Sequence, residues 1–517
     1  MKIKKVWVPF LTIGATLGVV VARAKAPQGP PVTVRIQEGT LQGVVVDGIG
    51  TFKGIPFAAP PVGKNRWRAP QPVKPWKGVL YANSYGPLPM QNRAGAIFWA
   101  GSFFPKVSED CLYLNVWTPA KSLTEKLPVM VWIHGGAFVS GTAGSRFYEG
   151  ADLAKHGVVV VSVSYRLGAF GFFAHPELAR ESGRGSGNYG LMDQIAGLRW
   201  VKRNIAQFGG DDGNVTIFGE SAGGSSVGLL AASPEARGLF HKIISESGAT
   251  FAFTKQNVKV LSDATPRADA EKIGSNFLQA LGVSSIAAAR ELSAADIEKM
   301  AEGKEKRLYN AIVDDTIVPD NQCQRFLAGQ YNDTPILIGT NSDDGGMFSK
   351  PTQAAGIQAK AEALFGEDAK DILAAYPHTT DVEASLASRH VIRDVVFGWP
   401  TWKWARLQSQ HGKNPAYLYY FDRYSSKTPN GANHGSEVPY VFGINLPTPQ
   451  DKAFSEQMQT YWTNFAKIGN PNGAGLTHWP TFHEPNAKVL NFGNKGISSQ
   501  PVPNLSQLKA LDRIYSR

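Results

Sequence analysis

Gly219-Glu220-Ser221-Ala222-Gly223 reads G-x-S-x-G, a spacing that can present a serine as a nucleophile. Val215 to Phe218, just before it, is β-branched and aromatic and predicts a buried strand. Ala222 onward is rich in Ala, Leu and small residues and predicts a helix. The chain must therefore turn from strand to helix within a few residues. Gly219 and Gly223 remove the Cβ atoms that would clash in such a turn, leaving Ser221 at its apex. The helix N-terminus would then face whatever binds Ser221 and favour negative charge there. A glycine-rich turn with an ordinary serine N-cap is the competing reading. The strand–turn–helix context favours the nucleophile.

A serine that attacks a carbonyl needs donors for the alkoxide that forms, a base for its proton, and an acid to orient the base. Trp132-Ile133-His134-Gly135-Gly136-Ala137-Phe138 directly follows the apolar run Val129 to Ile133. Consecutive glycines let a backbone approach closely. Gly135 and Gly136 are the natural N–H donors, with Ala222 as a third. Where the nucleophile sits on a strand–turn–helix elbow of this kind, the chain order is serine, acid, histidine. The run Ile336 to Gly339 reads as a strand, and Thr340-Asn341-Ser342-Asp343-Asp344-Gly345 after it offers the acid. His434 sits in a later loop, Asn430-Gly431-Ala432-Asn433-His434-Gly435, and is the best-placed base. His378, His390, His411, His478 and His483 lack such a setting.

These residues need a scaffold. Val32 to Asp47 alternates enough for a hairpin. Leu112 to Trp117, Val129 to Ile133, Val158 to Tyr165 and Tyr417 to Phe421 read as strands, the third fully buried by its nearly continuous apolar character. Leu191, Ile195, Leu198 and Ile205 mark a helix beginning near Tyr189. Phe454, Met458, Tyr461, Phe465 and Ile468 line a late helix, ended by Gly469. Strands alternating with helices predict an α/β fold, its sheet predominantly parallel with helices on both faces. A mostly helical insertion spans about residues 265–303, with Ser293 opening one of its helices. Phe98, Trp99, Phe103 and Phe104 are either core or the wall of an apolar site; core is the preferred reading.

The N-terminus reads as an export signal. Lys2, Lys4 and Lys5 precede an apolar run to Val21, and Ala22-Arg23-Ala24 gives a small-x-small cleavage site. Residues 1–24 are thus expected to be removed, leaving 25–517 as one domain and placing the protein outside the cell or in a periplasm. The run is short for a spanning anchor, and none of the later runs is long and apolar enough for a membrane span. The chain has 517 residues and a formal net charge of +11, yet basic runs with interleaved aromatics are missing, which argues against nucleic acid as a partner. Metal-ligand spacing is absent from the His, Cys and carboxylate pattern, so no metal or other cofactor is expected.

With these motifs assembled, the chain resembles the type-B carboxylesterase family, which includes cholinesterases and bacterial p-nitrobenzyl esterases. The resemblance spans nearly all of the mature chain. It rests on Lys53 to Ala58, Ser108-Glu109-Asp110-Cys111-Leu112-Tyr113-Leu114-Asn115, His134 to Phe138, Gly219 to Gly224, and Gly435-Ser436-Glu437 beside His434. It implies an α/β-hydrolase fold with a mixed central sheet, and a serine ester hydrolase acting through an acyl-enzyme on a small-molecule ester. Ser221 takes the nucleophile's place, His434 the base's, and Asp344, ahead of Gly345, the acid's. Many members have Glu there; an Asp is shorter, so its loop must lie closer to His434. Glu437 and Glu220 are the next acids to consider. Members often pair the cysteine of this Glu-Asp-Cys-Leu motif with one about thirty residues upstream. Cys111 has no upstream cysteine, Met90 stands near that place, and a buried thiol is expected instead. The resemblance implies small to medium aromatic or aliphatic esters. The net charge raises a preference for anionic esters, such as polycarboxylates or diacid monoesters, as an alternative. A non-catalytic binding or adhesion module on the same fold is disfavoured, because such relatives lose the nucleophile. An interfacial lipase would want a long amphipathic lid, which the sequence lacks.

Overall fold

The computed structural model describes residues 29–100, 106–248, 264–302, 310–485 and 487–515. The expected signal segment, Phe103, Phe104 and the end of the helical insertion at Gly303 lie outside them. Among the described residues the strands are β1 (Pro31–Ile36), β2 (Gly39–Val46), β3 (Ile49–Pro56), β4 (Val79–Tyr81), β5 (Tyr113–Thr118), β6 (Leu127–Ile133), β7 (Val159–Val163), β8 (Gly210–Glu220), β9 (Lys242–Glu246), β10 (Ile336–Asn341), β11 (Ala416–Asp422), β12 (Lys488–Gly493) and β13 (Gly496–Pro501). They form one sheet in the order β1-β2-β3-β5-β7-β6-β8-β9-β10-β11-β12-β13, with β4 on β2. From β7 to β12 every pairing is parallel. The β1–β2, β2–β3, β3–β5 and β5–β7 pairs and the β12–β13 pair are antiparallel.

The parallel strands are apolar on both faces because helices cover both. On β6, Val129, Val131 and Ile133 enter one core, while Met130 and Trp132 enter the other. The first core takes in the helices Tyr189–Asn204 and Ala222–Ala232. The second takes in the helix Pro449–Ile468 through Phe454, Met458, Tyr461, Trp462 and Phe465. Each such side chain contributes about 1.5–3 kcal/mol of transfer free energy. Thr448 caps that helix by accepting from the Asp451 N–H, and Gly469 ends it at φ 73°. Ile468 was expected on its apolar face, but its side chain is exposed, while the following Gly469 is the residue that lies against Pro335 and Lys242.

Helices Arg267–Ala280, Ile286–Glu291 and Ala294–Ala301 lie between β9 and β10 in the chain. Ser293 caps the last of them, accepting from the Asp296 N–H. Arg66 docks this block: its guanidinium donates to the carbonyls of Ala289, Arg290 and Leu292 and pairs with Glu109 at 2.6 Å. A second helical block, unread in the sequence, lies between β10 and β11 and includes Asp381–Arg393 and Trp399–His411. Both blocks leave the sheet at the carboxyl ends of parallel strands, β9 and β10, where an open α/β sheet places its ligands, and return at the amino ends of β10 and β11.

Candidate active site

Ser221 lies between β8 and the helix Ala222–Ala232 with φ 57° and ψ −122°. A non-glycine residue adopts this conformation only where its surroundings impose it. Here the packing of the elbow against the end of β6 does so. A Cβ on Gly223 would lie 1.9 Å from the Ile133 carbonyl oxygen at the end of β6, and one on Gly219 would lie 2.5 Å from the same atom. The Ser221 N–H donates to the Glu246 carbonyl at 2.9 Å, tying the apex to β9.

The glycine turn after β6 lies against this apex. A Cβ on Gly135 would come 3.0 Å from the Ser221 Cβ. Among the described residues, no hydrogen bond engages the N–H groups of Gly135, Gly136 or Ala222. His134 belongs to the turn's support and not to the proton path. Its ring is buried and stacked on Tyr165 at 4.3 Å, and Nδ1 lies 2.9 Å from the Gly135 carbonyl. Burial drives its pKa down to about 4, partly opposed by that hydrogen bond, so the ring is neutral.

The acid and the histidine meet directly. His434 Nδ1 lies 2.9 Å from Asp344 Oδ1. The other oxygen, Oδ2, accepts from the Ser247 hydroxyl at 2.8 Å and from the Asn341 N–H at 2.7 Å. Two hydrogen bonds tie the loops of Asp344 and His434 together. The Asp343 N–H donates to the Ala432 carbonyl at 2.9 Å, and the Asn341 amide donates to the Asn433 carbonyl at 2.9 Å. Asp343 turns away and pairs with Arg389. Glu437 also turns away, accepting from the Asn341 amide. Glu220 lies on the far side of the imidazole, its Oε1 3.2 Å from His434 Nε2. Beyond this carboxylate, Nε2 makes no hydrogen bond among the described residues, to Ser221 or to any other group.

Four carboxyls, Glu220, Glu246, Glu437 and Asp344, form one cluster with almost no exposure, and Glu220 and Asp344 are the two that face this histidine. Burial pushes Glu246 up to about 8, although it accepts from Trp462 Nε1. Burial and the neighbouring acids push Glu437 well above the usual range. Burial also lifts Glu220, to about 7, with His434 opposing and Asp344 adding to the rise. Glu246 and Glu437 are thereby held in the protonated, uncharged form, while Glu220 keeps a carboxylate facing the histidine. For His434, burial pulls the pKa down, but the Glu220 and Asp344 charges outweigh it and the net direction is up.

A general base works as the neutral ring, so activity should fall as pH drops through the raised His434 value. Glu220→Gln removes a charge that raises it. The acid limb of kcat/KM is therefore expected to move to lower pH, with a neutral ester as substrate. A limb that stays in place would show that Glu220 does not set the histidine's titration.

Aromatic rings flank the site. Phe397 and Phe348 lie 4.6 and 5.2 Å from the His434 ring, centroid to centroid. Phe397 stands on the π-helical turn Asp394–Gly398, which no sequence periodicity announces. Trp99 packs on Tyr148 and Phe147. Phe98, read as core, is 58% exposed, because the helix Arg93–Ala100 turns that edge outward. Ser247 and Glu246, at the end of β9, were missed as well. The short segment Lys242–Glu246 is charged at both ends and hides its strand character. Cys111 is a free, buried thiol, and Cys323 is buried too.

The model of the carboxylesterase family matches residues 30–507. The chain belongs to the carboxylesterase family. It is 37% identical over 484 residues to the para-nitrobenzyl esterase of Bacillus subtilis (strain 168), covering 88% of this chain and 94% of that protein. It is 33% identical over 510 residues to the fumonisin B1 esterase of Sphingopyxis macrogoltabida, covering 93% and 90%. A PNB esterase structure superposes with a TM-score of 0.81 at 34% identity, over 93% of this chain and 99% of that one. A thermophilic PNB esterase structure also reaches 0.81, at 35% identity, with the same coverage of 93% and 99%. This carboxylesterase is thus a carboxylic ester hydrolase with the α/β-hydrolase fold. Among its described residues, no helix is long and apolar enough to cross a membrane.

Proposed function

We propose that the protein is an exported serine esterase in which Ser221, His434 and Asp344 act in sequence through an acyl-enzyme. The observation that carries the reading is the His434 imidazole, held on Nδ1 by Asp344 and with Nε2 beside Glu220, the elbow residue that precedes Ser221. Ser221 Oγ attacks the ester carbonyl while His434 takes its proton. The tetrahedral oxyanion is held by the N–H groups of Gly135, Gly136 and Ala222. His434 returns the proton to the leaving alcohol, and water repeats the sequence on the acyl-enzyme. No cofactor takes part.

The rings of Phe348 and Phe397 beside His434 favour neutral aromatic or aliphatic esters. A fluorophosphonate should label Ser221 and abolish hydrolysis in proportion to labelling; label elsewhere would refute the nucleophile. p-Nitrophenyl butyrate should be turned over faster than mono-p-nitrophenyl succinate, with a kcat/KM ratio that does not move across a salt series. A preference for the anion that fades with ionic strength would show that the net charge of +11 selects substrate.

Export rests on Lys2, Lys4, Lys5, the apolar run and the Ala22-Arg23-Ala24 site. The mature protein should begin near Lys25 or Pro27 when recovered from medium or periplasm. An intact N-terminus in the cytoplasm would overturn this.

A further inference from the structure

We propose that Gln91 is a positioning residue that locks the peptide plane carrying the Gly136 N–H. The inference rests on the oxyanion role given above to Gly135 and Gly136. Gln91 is 4% exposed and uses both ends of its amide. Its Oε1 accepts from the Gly141 N–H at 3.0 Å, and its Nε2 donates to the Gly141 carbonyl at 2.8 Å and to the Pro89 carbonyl at 3.0 Å. One side chain thus satisfies both backbone groups of Gly141, as a neighbouring strand would.

Gly141 is pressed against the glycine turn. It has φ +126°, and a Cβ there would lie 2.3 Å from His134 Nδ1 and 2.6 Å from the Gly135 carbonyl oxygen. That oxygen belongs to the same peptide plane as the Gly136 N–H. Turning the N–H away from Ser221 would swing the oxygen out of its place between His134 and Gly141. Gly141, pinned by Gln91, and the hydrogen bond between His134 Nδ1 and Gly135 oppose that rotation. The same loop adds a second hold one residue earlier. Trp99 Nε1 donates to Ser140 Oγ at 3.1 Å, and the Ser140 N–H donates to the Gly136 carbonyl at 3.0 Å.

This clamp acts where the chain has no covalent staple, since Cys111 is a free thiol. The base of the loop is closed instead by the bridge between Leu88 and Val107. The oxyanion donors are useful only if held within a fraction of an ångström, so the residues that support them decide how much of the donors' effect is realised.

The test uses the full-length mature enzyme and Gln91→Met, which keeps the volume and removes both amide contacts. The readouts are kcat and KM for p-nitrophenyl butyrate, and inhibition by a trifluoromethyl ketone and by its alcohol. The ketone adds to Ser221 and places an oxyanion in the glycine turn; the alcohol fills the same space without one. Gln91→Met should lower kcat by about 10- to 100-fold, a fraction of what losing a whole donor costs. KM and alcohol binding should stay within about threefold, and ketone binding should weaken in step with kcat. If this variant does not fold, Gln91→Glu, which can still accept from the Gly141 N–H, is measured against the same criteria. Ketone binding and kcat as in the parent would overturn the clamp, and so would equal weakening of ketone and alcohol, which marks a merely structural role. A parent enzyme that binds the ketone no better than the alcohol would overturn the oxyanion reading, and the clamp with it.

Discussion

Ser221→Ala is expected to lower kcat by roughly 10⁴–10⁶-fold while leaving the fold intact. The size follows from the mechanism, because without the hydroxyl there is no acyl-enzyme and His434 has no proton to take. The small structural cost follows from what holds the elbow. The φ of 57° at Ser221 is imposed by the glycines on either side and by the bond from its N–H to the Glu246 carbonyl at 2.9 Å, none of which needs the hydroxyl. A residual rate above that of water should survive, since the Gly135, Gly136 and Ala222 donors remain. Steady-state hydrolysis and thermal melting of the variant beside the parent check both halves. Near-parental hydrolysis by the variant would remove Ser221 from the mechanism.

Much of this site could be read from the sequence because its parts are local. The elbow is a β-branched run, two glycines and a small-residue helix within about twenty positions. A central parallel strand such as Val159–Val163 is almost wholly apolar, with every residue buried. The glycines around His434 mark its loop, and the end of β10 marks the acid. What could not be read depends on distant partners. Ser247 reaches Asp344 across 97 positions of sequence, and only the parallel pairing of β9 with β10 brings them together. Phe397 reaches His434 through a helical block whose docking has no local signature. Ile468 shows the limit of periodicity: it continues the apolar pattern of its helix, yet its side chain is exposed.

Local reading also left two adjacent acids, Asp343 and Asp344, which the family's pattern, but not spacing, tells apart. Asp344→Asn is expected to cost roughly 10⁴-fold in kcat, and Asp343→Asn far less. Asp344 Oδ2 receives two donors, the Ser247 hydroxyl and the Asn341 N–H, whereas Oδ1 receives only His434 Nδ1. An asparagine there will keep its carbonyl oxygen toward the two donors and turn its NH₂ toward the histidine. An NH₂ can only donate, so His434 must accept on Nδ1 and carry its proton on Nε2. That tautomer presents a donor to Ser221 and cannot take the serine's proton. Asp343 instead faces Arg389, and its loss should lower the melting temperature more than the rate. kcat and melting temperature for both variants, measured side by side, separate the two roles. Equal and mild losses in kcat would place the acid elsewhere, and Glu437 and then Glu220 would be the next carboxyls to remove.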